Sequence, residues 1–340
     1  MPTTKPLTIS VIYNPPAATE EQDADLYFAE RDAGEMAQSV ADSLQKSGYA
    51  AKIYQVSEKN LYYLKHKKAD AFFNVCDGEH LYMKVVRQLE KAKRTFTGPG
   101  SEVMKLTTDK VETKKVFVKI GVPTPKSQFF KSANEPVDPL LRYPLIVKPP
   151  NEDCSIGITT TSIMQNEEEL KKQIALVCET YKQGALVEEF IAGKEINCTI
   201  VGNGRGMTVF PLAELQLEHS EIPEDYVFDY DAKWVGEDER CMVKFVSPAA
   251  SVPLEIQKKV QNQAKKAFIA LGMKDYGRFD IRYNPHTKEW FFLEVNANPS
   301  IQDDLNEPTV SSAQAHGLRY QQFIAHIMEE CRIRYKKKLD

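Results

Sequence analysis

From Leu7 to Tyr13 the chain is an almost continuous apolar run, and from Glu35 to Lys46 the apolar residues Met36, Val40 and Leu44 recur every fourth position before Gly48. The first pattern predicts a buried strand and the second an amphipathic helix. A second apolar run, Ala69 to Val75, adds another strand. The turn Thr97-Gly98-Pro99-Gly100 then closes a small parallel α/β lobe near residue 102.

Glu102 to Ile120 is patterned as helix, and Gly121-Val-Pro-Thr-Pro stops it. Tyr143 to Lys148 follows as an apolar strand, then a loop (Pro149 to Gly157) and a threonine-rich strand from Ile158 to Ile163. Asn166 stands three residues before Glu169, a capping-type start for a helix whose one face carries Leu170, Ile174, Val177 and Tyr181. A third lobe opens with the strand Ala185 to Ile191. It continues through Ile196 to Val201, the turn Gly202 to Gly206, and a helix from Leu254 to Leu271. Residues 216 to 240 are polar, aromatic and irregular, a composition that suits a functional flap. The expected division is an N-terminal α/β lobe over 1–102, a central α+β lobe over 103–186 and a C-terminal lobe over 187–340.

The length of 340 residues fits two or three packed lobes and therefore clefts between them. No apolar run approaches the ~20 residues of a membrane span, and the N-terminus does not resemble a secretory signal. A cytoplasmic protein is the expectation. Six cysteines lie scattered without a C-x-x-C pair, which argues for reduced thiols over zinc or redox motifs. With a formal net charge of −4 and its one basic run at Lys336-Lys337-Lys338, the chain lacks the footprint of a nucleic-acid binder.

The chemistry concentrates in Gly277 to Asn298, GRFDIRYNPHTKEWFFLEVNAN, which alternates as two strands around Asn284-Pro285-His286-Thr287. Period-two geometry places Arg278 and Asp280 on one face of the first strand, and Glu294 and Asn296 on one face of the second. Because residue 287 is the midpoint of 280 and 294, the two carboxylates are expected opposite each other. Like charges in that position repel unless a cation lies between them, and hard oxygen donors favour Mg²⁺. The bland alternative is a solvent-facing hairpin with chance acids. Lys148, at the end of an apolar strand and before the small-residue loop Asp153-Cys-Ser-Ile-Gly157, suits phosphate oxygens. On its own, a lysine there more often decorates a surface. Leu186-Val-Glu-Glu-Phe-Ile191 can present backbone groups to a purine edge, and Glu195 can take ribose hydroxyls.

Lys110, the strand YPLIVKP, the loop CSIGI, the hinge LVEEFI with Glu195, the flap FDYDAKW and the hairpin GRFDIR…FFLEVNANP occur in the order and spacing found in D-alanine:D-alanine ligases. Over roughly residues 95 to 330 the chain thus resembles this branch of the ATP-grasp superfamily. The resemblance implies an ATP-grasp fold, α/β and α+β, behind a parallel N-terminal α/β lobe. It implies that ATP activates a small-molecule carboxylate donor as an acyl phosphate, which an amine acceptor attacks to give an amide, ADP and phosphate. Lys110 and Lys148 would hold phosphates, Lys233 in the flap would approach the γ-phosphate, and Ser155 would lie in the loop closing over them. Glu188 and the backbone of Glu189 and Ile191 would recognise adenine between Ile146, Phe190 and Leu293, with the ribose on Glu195. Asp280, Glu294 and Asn296 would bind two Mg²⁺ ions, with Mn²⁺ as a substitute, and Arg278 and the Ser300 N–H would meet the tetrahedral oxyanion. A homodimer is left open.

The acceptor side departs from that pattern. Leu305 stands where the family has a carboxylate-gripping serine, and Asp303 and Asp304 beside it suit a basic acceptor or simply a solvated loop. Trp234 and Phe228 replace flap hydroxyls. The loop after Asn14 lacks the family's glycines and serine, Glu30 and Asp32 stand near its amine-binding glutamate without a clear assignment, and the Asn74 to Glu79 loop matches only in part. Two rival readings remain: an ATP-grasp phosphotransferase or a ligase with a non-amine acceptor, and a nucleotide-binding scaffold without turnover.

Overall fold

The computed structural model describes residues 5–16, 22, 32–76, 79–153, 155–219, 221–223, 225–229 and 243–336. The chain opens with β1 (Thr8–Tyr13), α1 (Ala33–Lys46), β2 (Ala50–Gln55), β3 (Ala71–Asn74) and α2 (Glu79–Lys91). The three strands form a parallel sheet in the order β2-β1-β3. The predicted helical stripe is present, with Ala37, Val40, Ala41 and Leu44 of α1 buried. β2 was not expected because, as an edge strand, it buries only Ala51 and carries no apolar alternation.

The helix expected over 102–120 is two helices, α3 (Ser101–Thr108) and α4 (Lys110–Lys119). Asp109 breaks them: its backbone is extended, and its Oδ1 accepts the Glu112 N–H at 3.0 Å, an N-cap. Next come β4 (Ser127–Phe130), β5 (Leu145–Lys148), β6 (Ile163–Met164), α5 (Glu167–Tyr181) and β7 (Ala185–Glu189), with the strands in the antiparallel order β4-β7-β5-β6. The cap of α5 is as expected, Asn166 Oδ1 accepting the Glu169 N–H at 3.0 Å. The strand expected over Ile158 to Ile163 is instead a 3₁₀ turn, Thr160–Ser162, leading into the two-residue β6. Thr159 Oγ1 accepts the Thr161 N–H at 3.2 Å, a local bond that competes with sheet pairing.

The remainder comprises β8 (Lys194–Val201), β9 (Thr208–Val209), β10 (Ala213–Leu217), β11 (Val243–Val246), α6 (Leu254–Leu271), β12 (Tyr276–Asn284), β13 (Glu289–Asn296), α7 (Pro308–Ala315) and α8 (Tyr320–Arg334). Its sheet runs β11-β10-β8-β12-β13, with β9 beside β8. Packing crosses the boundaries drawn from sequence. Met104 and Phe117, from α3 and α4, join Phe268, Phe279 and Phe292 in the core beneath the third sheet. β7 pairs within the second sheet and does not open the third lobe, and α8 returns to pack with Val40 and Leu44 on the first. The helices cover one face of the third sheet; the other, bearing Arg278, Asp280 and Arg282, faces the cleft toward β5 and β7.

Candidate active site

The hairpin meets the expectation on which the site depends: Asp280 pairs in register with Glu294 across β12 and β13. Phe279 and Ile281 point into the core, so Asp280 between them must point to the cleft. Beyond this pair the register shifts: Ile281 lies opposite Phe292, and Leu293 is the extra residue of a β-bulge. Strict alternation would turn Leu293 away from Glu294, yet both line the cleft. The bulge therefore lets an apolar wall and a carboxylate sit side by side on one surface.

Asp280 is 8 % exposed. Its carboxylate accepts from Arg278 Nε at 2.7 Å and Nη2 at 3.0 Å, from Asn197 Nδ2 at 2.6 Å and from Asn296 Nδ2 at 2.9 Å. Burial opposes the charge on Arg278, but the adjacent Asp280 outweighs it and holds the guanidinium above its ordinary pKa. Glu294 pairs with Lys110 Nζ at 3.1 Å. Among the described residues no group of three His, Cys, Asp or Glu side chains surrounds a cation site. Two carboxylates and the Asn296 amide, whose nitrogen turns to Asp280, form an open hard-oxygen set. That set fits Mg²⁺, which keeps waters and shares its coordination with phosphates. Asn197, which sequence reading missed, is buried beside Asp280, and its Oδ1 has no hydrogen-bond partner.

Lys110 is the first residue of α4 and is 3 % exposed, held by Glu294 and Asp153, which together outweigh burial and raise its pKa. Lys114, one turn on and thus on the same helix face, went unnoticed although the four-residue spacing signals it. It lies 2.6 Å from Glu188 Oε1, while Lys148 lies 2.7 Å from Oε2. All three are buried. One carboxylate cannot compensate two ammonium groups in such surroundings. Burial, with the neighbouring Lys148, pulls the Lys114 pKa well down. Burial, only partly offset by Glu294, lowers that of Lys148 to about 8. Glu188, expected to face adenine, is thus gripped from two sides, though it does line the cleft.

The cleft between the second and third sheets is partly open to solvent. Ile146, Lys148, Ser155, Glu188, Glu189, Phe190, Ile191, Glu195, Leu293, Asp280 and Glu294 all line it. Ser155 takes a left-handed backbone, φ 61°, and its Oγ donates to the Phe228 carbonyl at 3.0 Å, tying the loop to the segment expected as flap. The Glu189 N–H is spent on the Lys126 carbonyl at 2.9 Å, so its carbonyl is the main-chain group to consider for a purine. Arg282, also missed, lines the same space. Lys233, Trp234 and Glu30 lie outside the described residues.

On the acceptor side, Ser300 Oγ donates to Glu307 Oε1 at 2.7 Å, and Asp303, Asp304 and Leu305 are exposed, Leu305 by 55 %. On the donor side, Asn298 Nδ2 donates to the Cys76 carbonyl at 2.8 Å, which brings the loop after β3 against the end of the hairpin.

Comparison with known proteins gives the chain a family. The family described as D-ala D-ala ligase C-terminus matches residues 116–329. A D-alanine–D-alanine ligase of Methylibium petroleiphilum is 29 % identical over 311 residues, covering 88 % of this chain and 92 % of that protein. One from Herminiimonas arsenicoxydans is 27 % identical over 318 residues, covering 91 % and 90 %. Among solved structures, the Bacillus anthracis D-alanine–D-alanine ligase complexed with ATP superposes with a TM-score of 0.73 at 19 % identity, covering 97 % of this chain and 99 % of that one. The VanG D-Ala:D-Ser ligase of Enterococcus faecalis gives 0.74 at 22 %, covering 96 % and 99 %.

Proposed function

Since this chain belongs to the D-ala D-ala ligase C-terminus family and is an ATP-dependent, ADP-forming carboxylate–amine ligase, we propose that it joins an amino-acid carboxylate to an amine on the cleft between β5–β7 and β12–β13. The observation that carries the reading is the in-register pair Asp280 and Glu294, set within reach of buried lysines at one end of the cleft. Each acid meets a cationic side chain, Asp280 through Arg278 and Glu294 through Lys110, and their facing oxygens suit a hard cation as well.

In this reading Lys110 and Lys148 hold the phosphates of ATP. The purine lies between Ile146, Phe190 and Leu293, against the Glu188 side chain and the backbone of Glu189 and Ile191, with Glu195 on the ribose. Asp280, Glu294 and Asn296 would hold Mg²⁺, whose contribution there would be to neutralise phosphate charge, and the γ-phosphoryl moves to the donor carboxylate. By motif order Lys233, outside the described residues, would approach that group, and Ser155 would lie in the covering loop. When the amine attacks the acyl phosphate, Arg278 and the Ser300 N–H face the developing oxyanion, a type of contact worth ~3–4 kcal/mol. Supporting this role, Asp280 engages Nε and Nη2 of Arg278 and fixes the plane of the guanidinium. The names of the relatives make D-alanine the first donor to test. ATP as cosubstrate fits a cytoplasmic setting.

Hydroxylamine distinguishes the chemistry. An acyl phosphate is trapped as a hydroxamate, so ATP, Mg²⁺, donor and hydroxylamine should yield ADP and hydroxamate in equal amounts. ADP formation that depends on an alcohol and leaves no hydroxamate would assign a phosphotransferase instead. For the acceptor, Leu305→Ser is expected to shift preference toward simple α-amino acids, read by mass detection of products across paired amino acids. An unchanged profile would move the acceptor pocket elsewhere.

A further inference from the structure

Arg282 sits on the cleft face of β12, two residues beyond Asp280 and hence ~7 Å along the strand from the phosphate end of the site. It is 5 % exposed. Nε donates to the Ile191 carbonyl at 3.2 Å and Nη2 to the Tyr226 carbonyl at 2.6 Å, so one side chain ties β12 to the hinge after β7 and to the segment after β10. The guanidinium carbon lies 5.4 Å from the Phe190 ring centroid. Nη1 is buried and has no hydrogen-bond partner, although the residue lines the cleft. A buried donor of a charged group left unmade is costly, and arginine cannot escape by losing its proton. Such a group is a place to look for a ligand atom.

The neighbour on β8 indicates which atom. Arg282 pairs in register with Glu195, and the two interact electrostatically. A carboxylate only accepts hydrogen bonds and a guanidinium only donates them, whereas a hydroxyl does both. A hydroxyl between the two side chains can donate to Glu195 and accept from Arg282. A carbonyl, a phosphate or an ammonium can satisfy only one of them. Of the parts of ATP, the sugar alone carries hydroxyls.

Building on the ATP-ligase reading above, we propose that Arg282 is a nucleotide-binding residue whose Nη1 donates to a ribose hydroxyl oxygen of ATP, completing with Glu195 a clasp that selects ribonucleotides. The Ile191 and Tyr226 carbonyls hold the other two nitrogens of the fork, so the donor is oriented before the nucleotide arrives.

The test is direct binding, by calorimetry with Mg²⁺ and without amino acids, of ATP, 2′-deoxy-ATP and 3′-deoxy-ATP to the wild type and to Arg282→Met. The wild type is expected to prefer ATP to at least one deoxy analogue by on the order of tenfold, as a hydrogen bond to a charged group gives. Arg282→Met should lose about that factor for ATP and little for the same analogue, so that discrimination collapses. An equal loss for all three nucleotides would reduce Arg282 to a brace for Ile191 and Tyr226 and overturn the proposal, as would unchanged discrimination. If the wild type binds ATP, only the role of Arg282 is then at fault; if it binds no nucleotide, the ligase reading fails as well. Should Arg282→Met not fold, the wild type crystallised with a non-hydrolysable ATP analogue decides. Nη1 within ~3.2 Å of a ribose oxygen supports the clasp, and a longer separation overturns it.

Discussion

Glu294→Gln changes a charge and little else in shape, which makes it the sharpest probe at the residue scale. It leaves Lys110 without its carboxylate at 3.1 Å and the cation site with one acid. Metal-dependent ADP release should fall by at least the ~10–100-fold that weakening a metal site costs, with the melting transition preserved; retained turnover removes the metal role. Lys148 supplies a pH prediction. Its pKa is lowered to about 8 by burial, so it is charged below that value and neutral above it. ATP affinity should therefore weaken as pH rises through about 8. Above that pH, binding should take up a proton, seen as a buffer-dependent heat. The stability sign is the opposite: between about 8 and the ordinary lysine range the unfolded chain binds the extra proton, so this residue favours folding more as pH rises. Lys114→Met should move the affinity midpoint upward, because Glu188 would then serve Lys148 alone.

At the scale of elements, the bulge in β13 brings onto one surface Leu293 and Glu294, which regular alternation would set on opposite faces. Deleting Leu293 would make Glu294 and Phe292 consecutive and leave their partners Asp280 and Ile281 unchanged, which restores an ordinary antiparallel pair. The variant is expected to fold with a melting temperature near the wild type, yet to bind ATP on the order of tenfold more weakly for want of one apolar wall, about the worth of a buried leucine contact. Unfolding on deletion would mean that the bulge serves the sheet and not the nucleotide. The split between α3 and α4 has the same character. Asp109 ends one helix and caps the next, and the restart aims Lys110 and Lys114 at Glu294 and Glu188, two carboxylates that line the cleft.

Across the whole molecule, the end of the first lobe, the turn after β8 and the last helix meet at Asp275, which is fully buried. Its carboxylate meets Arg334 Nη2 at 2.5 Å, Asn203 Nδ2 at 2.9 Å and the Gly98 N–H at 2.9 Å, while the same Arg334 nitrogen donates to the Gly98 carbonyl at 3.0 Å. The last helix is thereby bonded at one point to the end of the N-terminal lobe and to the start of the β12–β13 hairpin. Arg334→Met would leave that carboxylate buried without its cation, a change of ~3–5 kcal/mol. Chemical denaturation should show this loss, and ATP affinity per folded molecule should stay close to wild type. A negligible change in stability would show that the lobes are held together by their apolar contacts alone.

Local periodicity was enough to give the amphipathic helices, the Asn166 cap, the opposition of Asp280 and Glu294, and the lysine at the end of β5, because each depends on residues a few positions apart. Motif order added the ligase family and most of the residues that line the cleft. Tertiary structure alone decided that Lys114 and Lys148 share Glu188, that Arg282 faces Glu195 with an unmatched donor, that α3 and α4 support the third sheet, and that α8 returns to the first. These facts join residues far apart in the chain, and a sequence pattern records which face of an element is apolar, not which distant element will cover it.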